Sequence, residues 1–195
     1  MKPASRERIK EAAMKLFADK GYSATPTSEI CRRAGVTKPV LYYHFQSKEN
    51  LFRELVREAC SGMIHELTLA SYRGSTAVEK LTDVLTADFA LTKRNPHITA
   101  LVFRTMFAPP KEMPKVDFVQ VGLDWIRLVE GILRDGVRRG GLRCRPHEVA
   151  VALLGVGRIY SISHLVRGKP DLDRALARRV VRLVVGGRDK NSTGR

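Results

Sequence analysis

Three cysteines, one tryptophan and five histidines leave this 195-residue chain little material for disulfide, redox or metal chemistry. Cys31, Cys60 and Cys144 are odd in number and far apart, which argues against a secreted disulfide framework and offers no metal spacing. His44, His65, His97, His147 and His164 are scattered singly, and no signature pairs a nucleophile with a base. No catalytic group, metal or cofactor is therefore expected. No apolar run reads as long enough to cross a bilayer, and no signal peptide is recognisable. A soluble cytoplasmic protein without membrane contact is expected. Carboxylates are scarce as well: 20 Asp and Glu stand against 35 Lys and Arg, a net charge of +15. Such an excess favours an anionic partner.

The excess runs through the chain. Residues 1–48 hold ten Lys/Arg against four Asp/Glu, and residues 49–195 hold 25 against 16. What fills the chain otherwise is helical periodicity. Ile9, Ala12, Ala13, Leu16 and Phe17 recur at one apolar helix face, and Lys20-Gly21 closes that helix. Thr25-Pro26 opens a second, which carries Ile30 and Ala34 and stops at Gly35. One residue later Thr37 and Pro39 supply a cap and a first-turn proline for a third, with Leu41 and Phe45 inward. A helix, a tight glycine turn and a short helix rich in polar aromatics form a helix-turn-helix, whose second helix can enter a DNA major groove. A fourth helix starts at Ser47 with Leu51, Phe52, Leu55 and Val56 inward.

The remainder reads as helices separated by Gly74, Asn95-Pro96, the proline-rich loop 108–114, Gly140-Gly141 and the stretch 168–171, where Asp171 is expected to cap the last helix. No segment alternates with a period of two. The fold class expected is all-α, about nine helices in total, with a helix-turn-helix domain at 1–48 and a helical regulatory domain at 49–195.

The run from Ile9 to Phe52 resembles the DNA-binding domain of the tetracycline-repressor (TetR) family. It carries Ile9-x-x-Ala12-Ala13-x-x-Leu16-Phe17, Gly21-Tyr22-x-x-Thr25, Ala34-Gly35-Val36-Thr37-Lys38 and Leu41-Tyr42-Tyr43-His44-Phe45-x-Ser47-Lys48-Glu49-x-Leu51-Phe52 at the family's spacing. The resemblance implies a homodimeric transcriptional repressor, released from a palindromic DNA operator by a small-molecule effector. Lys38 and Pro39, at the groove-facing end of the recognition helix, are expected at base edges, with Val40 and Tyr42 beside them. Thr25, Ser28, Thr37, Tyr43, His44 and Lys48 look like the family's phosphate contacts. The last two helices resemble its dimerisation helices, which places Ala150, Leu153, Leu154, Gly157, Ser161, Leu176, Val180, Leu183 and Val184 at the interface.

An effector pocket of mostly apolar and aromatic character is expected from Phe89, Phe103, Met106, Phe107, Phe118, Trp125 and Tyr160, with Arg104, Arg158 and His164 as polar anchors. These anchors would suit an amphipathic or anionic molecule. Arg158 stands in a strongly apolar helix, so it needs an acidic side chain, a carbonyl or an anionic ligand as partner. Two alternatives carry different tests. An architectural DNA binder would discriminate little between sites. A small-molecule-binding protein with a vestigial reader would not bind DNA at any salt concentration.

Overall fold

The computed structural model describes residues 4–106, 114 and 118–186, with the backbone alone at 104–106, 118 and 119. Among the described residues are nine α-helices and no strand. They are α1 Ser5–Lys20, α2 Thr27–Ala34, α3 Lys38–Phe45, α4 Lys48–Ser71, α5 Ala77–Arg94, α6 Pro96–Met106, α7 Phe118–Arg138, α8 Pro146–Arg167 and α9 Arg174–Val185. Two compact units form: residues 1–62 with 95–118, and residues 63–94 with 119–195.

The first unit reaches past the boundary expected at residue 48. Leu51, Phe52, Leu55 and Val56 of α4 and Leu101 of α6 are buried in one cluster with Ile9, Leu16, Phe17, Ile30, Leu41 and Phe45. Three short helices leave an open apolar side, and the first half of α4 closes it. Phe52 meets Phe17 edge-on at 5.3 Å and Tyr22 at 5.1 Å, a geometry that adds to area burial.

In the second unit α5 packs on α8 and α9. Leu81, Leu85 and Phe89 share a core with Trp125, Leu133, Leu153, Leu176 and Val180. Two buried carboxylates on α5 are matched by arginines. Asp83 pairs with Arg174. Asp88 takes Nη2 of Arg158 on both oxygens at 2.6 Å. Of the three partners foreseen for Arg158, the acidic side chain is the one present. Capping departs from expectation at α9, where Asp173, two residues after Asp171, accepts the Leu176 amide at 2.7 Å. At α5, Glu79 Oε2 accepts the amides of Ser75 and Thr76, while Thr76 Oγ1 accepts that of Glu79, a reciprocal cap.

The helix α8 is long and apolar enough, by length and composition, to cross a membrane. The sequence reading expected no apolar run of that length. Only 22% of its most apolar window is buried within the chain, so much of its apolar surface is uncovered.

Candidate nucleic-acid interface

The turn between α2 and α3 is built by Gly35 in the left-handed region (φ 64°, ψ 43°), a conformation a β-carbon disfavours. Its amide reaches Arg32 O, and Val36 N reaches Cys31 O at 3.0 Å, which closes α2. Leu41 and Phe45 then anchor α3 in the core. The opposite side of α3 is left to solvent. Lys38 and Pro39 are exposed in its first turn, Tyr42 is 44% exposed and Tyr43 83% exposed. Val40 is half-buried against the core. Tyrosines cost free energy in water unless something covers their rings, and two side by side beside a lysine form a polar, aromatic surface suited to a groove.

The α3 helix is braced from behind. Ser5 Oγ lies 2.8 Å from His44 Nε2, Arg8 Nε donates to Ala34 O at 3.0 Å, and Arg6 stacks over Phe45 at 5.3 Å while pairing with Glu54. Ser5 therefore spends its hydroxyl on α3, and no side chain caps α1. The effect is to hold the presenting helix at a fixed angle, as a groove-reading element requires.

Two expected phosphate contacts point inward instead. Thr25 is buried, and its hydroxyl donates to Gly21 O at 2.7 Å with Leu16 O at 3.3 Å. Lys48 Nζ donates to Tyr22 O at 3.0 Å and Thr25 O at 3.2 Å, and sits 4.1 Å from the Tyr22 ring centre. Burial pushes its pKa down. Its ammonium ties the start of α4 to the α1–α2 connection. A hydroxyl or ammonium in a motif can serve either the ligand or the backbone, and the sequence carries no signal to separate them. Ser28, Thr37 and Tyr43 are exposed, and His44 is half-buried with one ring nitrogen on Ser5. Arg32 and Arg33, which the sequence reading passed over, are exposed in the last turn of α2.

Residues 9–55 match the family described as bacterial regulatory proteins, tetR family. Over those residues the chain carries that family's DNA-binding domain. It is 28% identical over 143 residues to the HTH-type transcriptional repressor KstR2 of Mycolicibacterium smegmatis, covering 72% of this chain and 69% of that protein. It is 25% identical over 136 residues to the fatty acid metabolism regulator protein of Bacillus subtilis, covering 70% of each. Its fold is similar to that of the transcriptional regulator FadR from Bacillus subtilis in complex with stearoyl-CoA. That match has a TM-score of 0.75 and 23% identity, and covers 93% of this chain and 98% of the other. The matched segment spans the first of the described helices, α1 to α3 and the start of α4.

In the second unit the expected interface residues mostly face the chain's own core. Ala150, Leu153, Gly157, Ser161, Leu176 and Val180 are buried, and Leu154 and Val184 pack half-buried against them. A β-carbon at Gly157 would lie 3.1 Å from Leu85 Cδ1, and Thr92 Oγ1 donates to Ser161 Oγ at 3.3 Å. Their small size serves close contact with α5. Leu183 alone among the nine is exposed, at 79%. The outward stripe of α8 is a different one: Val151, Ile159 (66% exposed) and Val166 (76% exposed), with Gly155 between them. These positions fall within about 80° of one another around the helix.

The residues read as an effector pocket are divided between the two units, and several have side chains outside the described residues. Phe89 and Trp125 are buried in the second core, and Tyr160 packs against it. Trp125 Nε1 is buried with no hydrogen-bond partner among the described residues. Arg158 is taken by Asp88, and His164 Nδ1 donates to Pro170 O at 2.9 Å. Phe103 is half-buried in the first unit. Arg104, Met106 and Phe118 lie on helices with side chains outside the described residues, and Phe107 lies outside them altogether.

Proposed function

We propose that this protein is a homodimeric, effector-controlled transcriptional repressor that reads a palindromic operator with α3. The observation that carries this is the two-sided character of α3: Leu41 and Phe45 are buried in the core, while Lys38, Pro39 and Tyr43 are exposed and Tyr42 is 44% exposed. Lys38 donates to guanine O6 or N7, Pro39 and Val40 meet thymine methyls, and Tyr42 lies along the groove wall. Ser28, Thr37, Tyr43 and His44 take phosphates, joined by Arg32 or Arg33.

The second copy covers the stripe Val151, Ile159 and Val166 of α8 together with Leu183 of α9. An apolar stripe this exposed on so long and apolar a helix is what a symmetric helical interface buries. Two readers then stand about 34–36 Å apart, one turn of DNA. An effector that favours another separation of the readers releases the operator, and operator DNA must weaken effector binding by the same factor. Selection from a random DNA pool tests the reading: the enriched sites should be inverted repeats with half-sites about 10 base pairs apart. Enrichment without symmetry would refute the dimeric reader.

A further inference from the structure

The second unit holds an open groove of about 660 Å³ between the end of α4, the start of α5 and the end of α7, in the size range of small-molecule sites. None of the residues read from the sequence as an effector pocket lines it. Its floor is apolar: Val78, Leu128, Ile132 and Leu142. Its space comes from α7, where Gly131 lines the groove and a β-carbon there would meet no atom within 4 Å.

The rim is charged. Lys80 and Arg139 line the groove with a single carboxylate, Asp135, leaving one positive charge in excess. Asp135 is moreover shared, since Arg138 donates to it at 2.6 Å while Arg139 Nε lies 3.0 Å away. Those two arginines hold its carboxyl below the usual range, Arg138 foremost. The amides at the start of α5 contribute nothing to an anion, because Glu79 already occupies those of Ser75 and Thr76. Attraction must come from the Lys80 and Arg139 side chains. The ring of Tyr72, 75% exposed, stands at the same rim and offers a face to a flat apolar body.

We propose that this groove binds a small amphipathic monoanion, a flat or short apolar body carrying one carboxylate, and that it is an effector site. The apolar part lies on Val78, Leu128 and Ile132, and the carboxylate meets Lys80 and Arg139. The binding half stands on the groove alone; the effector half rests on the reading of the protein as a regulated DNA binder.

The test uses the full chain and 2-naphthoate as the probe, followed by titration calorimetry, with the uncharged 2-naphthylmethanol as its control. Naphthoate should bind about tenfold more tightly than the alcohol. Lys80→Gln/Arg139→Gln should erase that difference, and Gly131→Leu should weaken both compounds by about tenfold or more. Leucine is a better helix former than glycine, so an unchanged or raised thermal midpoint will confirm that Gly131→Leu is folded. No binding at millimolar probe, or naphthoate binding unaltered in both variants, would overturn the site. Operator release by naphthoate in the native protein but not in Gly131→Leu supports the effector half. Saturation that leaves operator affinity unchanged overturns that half alone, and absence of operator binding without any probe counts against the proposed function, not the groove.

Discussion

Lys48 separates the motif from the structure, so its replacement is the most instructive single change. As a phosphate contact it would contribute about 0.9 to the salt slope in each protomer, close to 2 for a dimer. In the structure its ammonium instead holds Tyr22 O at 3.0 Å and Thr25 O at 3.2 Å and lies against the Tyr22 ring. Two charge-assisted bonds and a cation–π contact, all half-exposed, amount to about 1–3 kcal/mol. Lys48→Met keeps the aliphatic stem and removes the charge. Urea unfolding at fixed protomer concentration should show a loss of that size, and operator titrations between about 50 and 200 mM salt should show a slope changed by less than about half a unit. Lys38→Ala is the contrasting variant: stability should stay within about 0.5 kcal/mol, while discrimination at the contacted base falls by about 1–3 kcal/mol. If Lys48→Met lowers the slope by about 2 and leaves stability unchanged, the inward assignment of its ammonium is refuted.

Arg158→Ala should cost about 3–5 kcal/mol, because it strands Asp88, 2% exposed, without its partner; Asp88→Leu/Arg158→Leu should recover most of this, and a double variant as unstable as the single would show that the pair is not the cause. Ile159→Arg should give a folded monomer with weakened operator binding by sedimentation and gel shift, whereas Val180→Arg should unfold the protein, since Val180 is buried and Ile159 is not. A dimer intact in Ile159→Arg would place the interface elsewhere. The Glu79 carboxyl is held below its usual pKa, chiefly by the Thr76 amide and then that of Ser75. A carboxylate depressed in the fold contributes stability above its unfolded pKa and loses it as pH falls through the folded one. The thermal midpoint should therefore drop on acidification below about pH 4.5, and less steeply in Glu79→Gln.

Element positions were legible because each helix carries its own periodicity and punctuation. Gly35 and Pro39 stand where the sequence reading set them. The inner face of α1 was legible for the same reason: Ile9, Ala12, Ala13, Leu16 and Phe17 share one face, and the charged residues lie off it. On α8 that logic fails. The helix is apolar on several sides, so Ala150, Leu153 and Gly157 and the outward stripe Val151, Ile159 and Val166 are equivalent to a pattern of spacing. Only contact with α5 and α9 separates them. The need of Arg158 for a partner was legible, but not its address, since Asp88 lies 70 residues away. Thr25 and Lys48 failed for a third reason, as their chemistry serves a phosphate or a backbone carbonyl equally well. The groove near Gly131 left no trace in the sequence, because concavity arises only when α4, α5 and α7 are brought together.

If α3 reads sequence, the ratio of two affinities must show it. Fluorescence anisotropy at one physiological salt concentration would compare a selected inverted repeat with a scrambled duplex of equal length and composition. The repeat should be preferred by about 10³ or more, and Lys38→Ala should cut that preference by about tenfold or more. A preference below about tenfold at every salt concentration, with binding that simply follows the excess of positive charge, would show that α3 does not read sequence.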